Sequence, residues 1–154
     1  MIMKETFKNK FTLVEKDLIK AGPKPIISEA RKKNSQGGVY GFLHKKNNTL
    51  DYIGSTKNLY ERCMVTHQKP SSKKVEEMVI YHTGMSERDY SQKYNDSGYY
   101  SSKMYSKKAK EILAEYDFIV LEDENNKNRR SIIEGGLIRH YKRLGQAKFN
   151  KQDY

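Results

Sequence analysis

Gly38-Val39-Tyr40-Gly41-Phe42-Leu43, the polar turn from His44 to Thr49, and Leu50-Asp51-Tyr52-Ile53-Gly54 together decide the fold of this chain. Two apolar, aromatic-rich runs flank a turn of Lys and Asn, the pattern of a β-hairpin. Side chains alternate along a strand, so Tyr40 and Phe42 fall on one face and Val39 and Leu43 on the other. A helix is predicted from Lys57 to about His67, capped by Ser55 or Thr56, with Leu59, Cys63 and Thr66 along one side. One Tyr from each strand and Arg62, a helical turn beyond Leu59, then converge at one edge of the hairpin. Two phenolic hydroxyls and a guanidinium make a candidate phosphate site. The plainer alternative is a half-buried aromatic hairpin with a solvated Arg.

Working outward, the 154 residues fit one compact domain with an N-terminal extension. No run of about 18 apolar residues and no signal-peptide core is present, so an intracellular, cytoplasmic protein without membrane association is expected rather than a secreted one. Cys63 is the only cysteine, which excludes a disulfide framework and a Cys-based zinc site within one chain. Thirty Lys and Arg against nineteen Asp and Glu give a net charge of +11 and call for an anionic partner. Nucleic acid ranks ahead of a membrane surface, because no helix joins a Lys/Arg face to a continuous Trp/Phe/Leu face.

Residues 1–37 read as a basic helical extension and residues 38–154 as the main domain. In the extension, a helix over Phe11–Ile19 stops at Ala21-Gly22-Pro23, and a second runs from Ser28 to Lys33. Arg31, Lys32 and Lys33 suit a phosphate backbone as well as a cationic helix end. Beyond the hairpin, Val75, Met78, Val79 and His82 mark one side of a helix that Gly84 ends. The segment from Thr83 to Lys108 reads as a Tyr/Lys-rich insertion, poor in aliphatics and outside the core. There Lys93, Tyr94, Lys103, Tyr105 and Lys107, with Lys57 beside the hairpin, are candidate nucleic-acid contacts, cations for phosphates and tyrosines for bases; the plainer alternative is an ordered surface loop whose tyrosines pack on the domain. Tyr105 also opens a helical stripe with Ala109, Ile112, Leu113 and Tyr116 that reads as core. Phe118–Leu121 is the predicted third strand and Arg130–Leu144 the last helix, with Ile133, Leu137, Ile138 and Tyr141 buried and Gly145 as its stop. Glu134 lies on that apolar stripe, where a carboxylate is costly unless paired or metal-bound. Pairing with Arg130 or Arg62, or snorkelling at the rim, is the ordinary explanation. Gly135 and Gly136, each costing about 1 kcal/mol in a helix interior, permit close backbone approach.

Gly38-Val39-Tyr40, eleven residues, Tyr52-Ile53-Gly54, and Arg62 eight residues after the last Gly resemble the signature of the GIY-YIG nuclease family. The resemblance covers about Gly38 to Asn150. It implies an α+β fold: a small three-stranded, mainly antiparallel sheet, built from the hairpin and one later strand, flanked by helices. It also implies an endodeoxyribonuclease that hydrolyses phosphodiester bonds with one Mg²⁺ per active site, Mn²⁺ being a substitute. Glu134 then corresponds to the metal-binding carboxylate and Tyr40 to the residue proposed to activate the attacking water. Tyr52 matches the second Tyr near the scissile phosphate, Arg62 the Arg that stabilises its charge, and Asn150 a late Asn that supports the site. A free Tyr is ionised about one part in a thousand at pH 7, so cations from Arg62, Lys57 or the metal are expected to favour the phenolate, while a neutral Tyr can also pass its proton on as it orients the water. Val39 in place of the usual Ile is harmless, both being β-branched. Family members often carry a His four residues after the Arg; here that position is Thr66 and His67 follows it. Adjacent residues of an α-helix are rotated by roughly 100°, so His67 serves only if the helix distorts or ends there. The implied partner is double-stranded DNA. A restriction-type enzyme working as a homodimer on a palindromic site is the favoured role, with homing or repair nucleases and a non-catalytic nucleic-acid-binding module as alternatives.

Overall fold

The computed structural model describes residues 26–27, 35–95 and 102–151. The predicted helices of the N-terminal extension, with Arg31, Lys32 and Lys33, lie outside them. Strand β1 (Gly38–His44) is central in an antiparallel sheet ordered β2-β1-β3, with β2 at Thr49–Thr56 and β3 at Tyr116–Asp123. A π-helical turn (Glu61–Val65) and a 3₁₀ turn (Thr66–Gln68) follow the hairpin. Helices α1 (Lys73–Thr83), α2 (Glu87–Tyr94) and α3 (Lys103–Leu113) precede β3, and α4 (Lys127–Arg143) follows it. This is an α+β fold. No helix among the described residues is long and apolar enough to cross a membrane.

The alternation of β1 sorts two cores. Tyr40 and Phe42 face Leu59, Cys63, α1 and α3, while Val39 and Ile53 face α4 through Ile133, Leu137 and Ile138. The helix ends follow local chemistry. Ser86 and Asp89 form a capping box on α2, Asn126 caps α4 by accepting from Arg129 N, and Gly84 takes the left-handed conformation after α1 at φ 75°. Residues 26–27 join the sheet: Ile26 bridges Ile119, and the buried Ile27 donates its N–H to Phe118 O at 3.2 Å.

Four expectations are corrected. The helix after the hairpin is a π turn and a 3₁₀ turn; its wider winding exposes Thr66 and buries His67. The Tyr/Lys-rich segment contributes to the core. Tyr90 is buried, and Tyr105 is buried as its helical stripe predicts; the Tyr105 hydroxyl donates to Pro70 O at 2.8 Å, so the nucleic-acid contact assigned to it is the reading that fails. Tyr116 ends the α3 stripe but belongs to β3. His82, assigned to the apolar side of α1, is exposed near its C-terminal end, whereas Val75, Met78 and Val79 are buried.

Two β-bulges punctuate the sheet. Phe42 pairs with Tyr52 and Leu43 with Leu50, leaving Asp51 as an extra residue on β2. Tyr40 pairs with Val120 and Val39 with Glu122, leaving Leu121 extra on β3. A bulge re-aims side chains, and Asp51 is turned inward to 1% exposure. Its carboxylate accepts from Thr49 Oγ1 at 2.9 Å and from the Tyr116 hydroxyl at 2.6 Å, which satisfies the buried charge.

Candidate active site

Tyr40 stands opposite Gly54 in the hairpin register, and its ring passes over β2 where only a glycine leaves room. The hydroxyl of the fully buried Tyr40 lies 2.8 Å from His67 Nε2. Tyr52 completes the group, its ring centroid 6.2 Å from that of Tyr40 and 6.3 Å from that of His67. The π turn makes this possible. A wider turn brings residues five apart, rather than four, towards one face, so His67 follows Arg62 on the side of the tyrosines. His67 Nδ1 is buried with no hydrogen-bond partner among the described residues, so the Tyr40 contact orients the ring.

The electrostatics are set first by burial. Burial pushes the Tyr40 phenol well above its ordinary range, and neighbouring Tyr52 adds to this. Arg62 opposes the shift through its charge and a hydrogen bond to the Tyr40 hydroxyl, without overcoming it. Of the cations expected to favour the phenolate, Arg62 is thus outweighed by burial, which favours the neutral phenol. Tyr52 is also raised, by burial first and then by the negative charge of Glu134, which places that carboxylate within electrostatic reach of the site. His67 is lowered to about 4, by burial and then by Arg62 and Lys74. It is a neutral imidazole at pH 7. The unfolded chain protonates this His near pH 6.5. Between 6.5 and about 4 the unfolded state thus binds more protons, and stability falls as pH drops through that window. Cys63, buried behind Tyr40, is raised by desolvation and is no nucleophile.

Asn150 holds the neighbouring strand. Its Oδ1 accepts from Ile53 N at 2.9 Å and its Nδ2 donates to Ile53 O at 2.8 Å, so it clamps the backbone between Tyr52 and Gly54. The rest of the segment runs beside β2 in the same way: Leu50 N donates to Gln146 Oε1, Ala147 N to Leu50 O, and Phe149 N to Asp51 O. Replacing Asn150 with Ala leaves the buried Ile53 amide and carbonyl unpaired. It is expected to cost about 2–4 kcal/mol, measured by urea unfolding.

Glu134 is half-buried on α4, and Arg62 is exposed at the mouth. The suggested Arg130 partner for Glu134 is otherwise engaged: Arg130 Nη1 donates to Asn125 O at 2.8 Å and to Glu124 O at 3.3 Å. One residue at the mouth escaped sequence reasoning. Lys74 Nζ lies 4.5 Å from the Tyr52 ring centroid, held by Glu77 at 3.0 Å and Phe149 O at 3.1 Å. The only hint in the sequence is a Lys pair opening α1. Of the proposed nucleic-acid contacts, Lys57, Lys93, Lys103 and Lys107 are exposed, and Lys93 Nζ sits 5.4 Å from the centroid of the exposed Tyr94 ring. These lie outside the Tyr40 cluster.

A sheet of β2-β1-β3 order carrying a Tyr pair, an Arg and a helix-borne Glu defines a nuclease-type catalytic domain. The family model for the GIY-YIG catalytic domain matches residues 36–150, and the chain belongs to that family. Nucleases of this family are metal-dependent. Neither a curated protein nor a solved structure matches the chain.

Proposed function

We propose that this protein is a Mg²⁺-dependent DNA endonuclease of restriction type, acting as a homodimer on double-stranded DNA. The observation that carries the reading is the Tyr40–His67 hydrogen bond at 2.8 Å, set beside Tyr52 and within reach of the Arg62 and Glu134 charges. In this reading the attacking water gives its proton to the Tyr40 oxygen as Tyr40 passes its own to His67 Nε2. Tyr40 stays neutral throughout, which removes the need for a phenolate in a buried site. The imidazolium formed is stabilised by the charge building on the phosphoryl oxygens. Arg62 binds those oxygens. Tyr52 donates to the same group and orients it.

Glu134 would hold the divalent ion. A single half-buried carboxylate fits a hard cation that keeps several waters and takes phosphate oxygens as further ligands, as Mg²⁺ does. When bound, the ion supplies Lewis-acid stabilisation of the phosphoryl group. The +11 charge and the exposed cations of α2 and α3 support a DNA partner and sequence reading by the catalytic domain itself.

A mixed-sequence plasmid incubated with Mg²⁺ or EDTA tests the function. Discrete fragments that require Mg²⁺ are expected. A smear would make the enzyme nonspecific, and salt-sensitive retention without cleavage would support a binding module. The His67 relay has its own signature. Because His67 titrates at about 4 in the folded protein, kcat/KM is expected to have no histidine inflection near pH 6.5. An acid limb there would remove His67 as the proton acceptor.

A further inference from the structure

At the far end of β1, away from Tyr40, three side chains of metal-ligating chemistry meet. His44 closes β1, His82 lies in the last turn of α1, and Glu115 sits between α3 and β3; one ligand atom from each falls within 4.8 Å of the others. The His44 and His82 rings stack with centroids 5.7 Å apart. Backbone contacts hold the frame, since Lys45 N donates to Glu115 O at 2.9 Å.

A hydrogen-bonded chain fixes the proton of His82. The Tyr116 hydroxyl has a single hydrogen, and it goes to the buried Asp51 carboxylate at 2.6 Å. The contact of 2.9 Å between His82 Nε2 and the Tyr116 oxygen must then be donated by the histidine. Its lone pair is left on Nδ1, the form in which an imidazole binds metal. Histidine ligands commonly donate their other N–H into a chain that ends on a carboxylate. Here the β2 bulge supplies that carboxylate by turning Asp51 inward.

We propose that His44, His82 and Glu115 form a second metal site, selective for a zinc-type transition ion over Mg²⁺. Two imidazoles and one carboxylate, with water in the fourth position, are a zinc donor set, whereas Mg²⁺ prefers oxygen ligands throughout. Bonds of about 2.0–2.2 Å place tetrahedral donors roughly 3.4 Å apart, so the exposed His82 and Glu115 side chains close onto the buried His44. Binding through His44 Nε2 moves its proton to Nδ1 and displaces the Asn47 N–H, now 3.2 Å away in an exposed turn. The ion ties β1, α1 and the α3–β3 turn together. Because α1 carries Lys74 and Glu77 near its other end, the site braces the helix that lines the Tyr52 mouth.

The test is titration of the EDTA-stripped full chain with Zn²⁺ against a chromophoric chelator, and with Co²⁺ for its visible spectrum. Wild type and Glu134→Gln are each expected to bind one Zn²⁺ at this site, with intense tetrahedral Co²⁺ bands. His82→Ala and Glu115→Gln, both at exposed positions and checked for folding by circular dichroism, are expected to weaken binding about 100-fold or more. Zn²⁺ should raise the melting temperature of wild type but not of His82→Ala. Zn²⁺ binding that is lost in Glu134→Gln and kept in His82→Ala would place the ion in the active site and overturn the proposal. Absence of Zn²⁺ binding to wild type would overturn it equally.

Discussion

Replacing Glu134 with Gln is expected to reduce DNA cleavage by about 10³-fold or more, the several kcal/mol that a Lewis acid contributes at a phosphoryl transition state. The substitution preserves shape. Glu134 is half-buried on α4 beside the fully buried Leu137 and Ile138 stripe, so Gln leaves no cavity and stability should change little. What it removes is the hard anionic oxygen proposed to hold a divalent ion. DNA affinity in metal-free buffer should be unchanged or slightly higher, because a negative charge has left the proposed phosphate site. Single-turnover cleavage and fluorescence anisotropy separate the two effects. A second readout is independent of cleavage. The Glu134 charge helps raise the Tyr52 phenol, so Tyr52 should titrate lower in the variant, followed by ultraviolet difference spectroscopy. Cleavage within about tenfold of wild type would mean less than about 1.4 kcal/mol of transition-state stabilisation at Glu134, too little for the metal carboxylate.

The second large effect belongs to Gly54→Ala. A Cβ at this position would lie 2.6 Å from both Cζ and the hydroxyl oxygen of Tyr40 and 3.0 Å from Tyr52 Cε2. Tyr40 is fully buried, its ring packed against Phe42 and His67. Either the ring shifts or the strands part. Overpacking of this kind costs about 1–3 kcal/mol of stability. A displacement of about 1 Å in a positioned group is enough to lower activity by roughly 10²-fold. Activity should therefore fall much further than the fraction folded. Thermal unfolding and cleavage measured on the same preparation would show it. A variant with unchanged cleavage would mean that Tyr40 does not take part through the position it occupies here.

The hairpin, its two faces and the α4 stripe were legible because each is a local period bounded by local stop signals. Tyr40, Phe42 and Val39 sort by alternation, and Gly84 and Gly145 take the positive φ angles that end helices at 75° and 76°. The π turn was not legible, since no residue pattern between Arg62 and His67 distinguishes a wide turn from an ordinary one. The sequence supplied only the condition that His67 needs a distorted helix to join the site, and the turn at Glu61–Val65 is such a distortion. Tyr90 misled for another reason. Its segment lacks aliphatics, yet an aromatic ring buries as much apolar surface as any aliphatic side chain, as the helical stripe of Tyr105 had indicated. The balance of forces on the Tyr40 proton was hidden too. Cations can be counted along a chain, but the burial that outweighs them comes from residues far apart in it. The clamp of Asn150 on Ile53 joins positions separated by 97 residues, which no local window spans.

The segment that runs beside β2 has a consequence for assembly. An edge strand ordinarily offers a row of open amides and carbonyls to any passing chain, the template for sheet extension between molecules and for aggregation. Here Gln146, Ala147, Phe149 and Asn150 occupy the groups of Leu50, Asp51 and Ile53 that such a neighbour would need. The dimer proposed above would therefore not form by continuing the β2 edge of the sheet, and the strand that carries Tyr52 would have no direct backbone link to a partner.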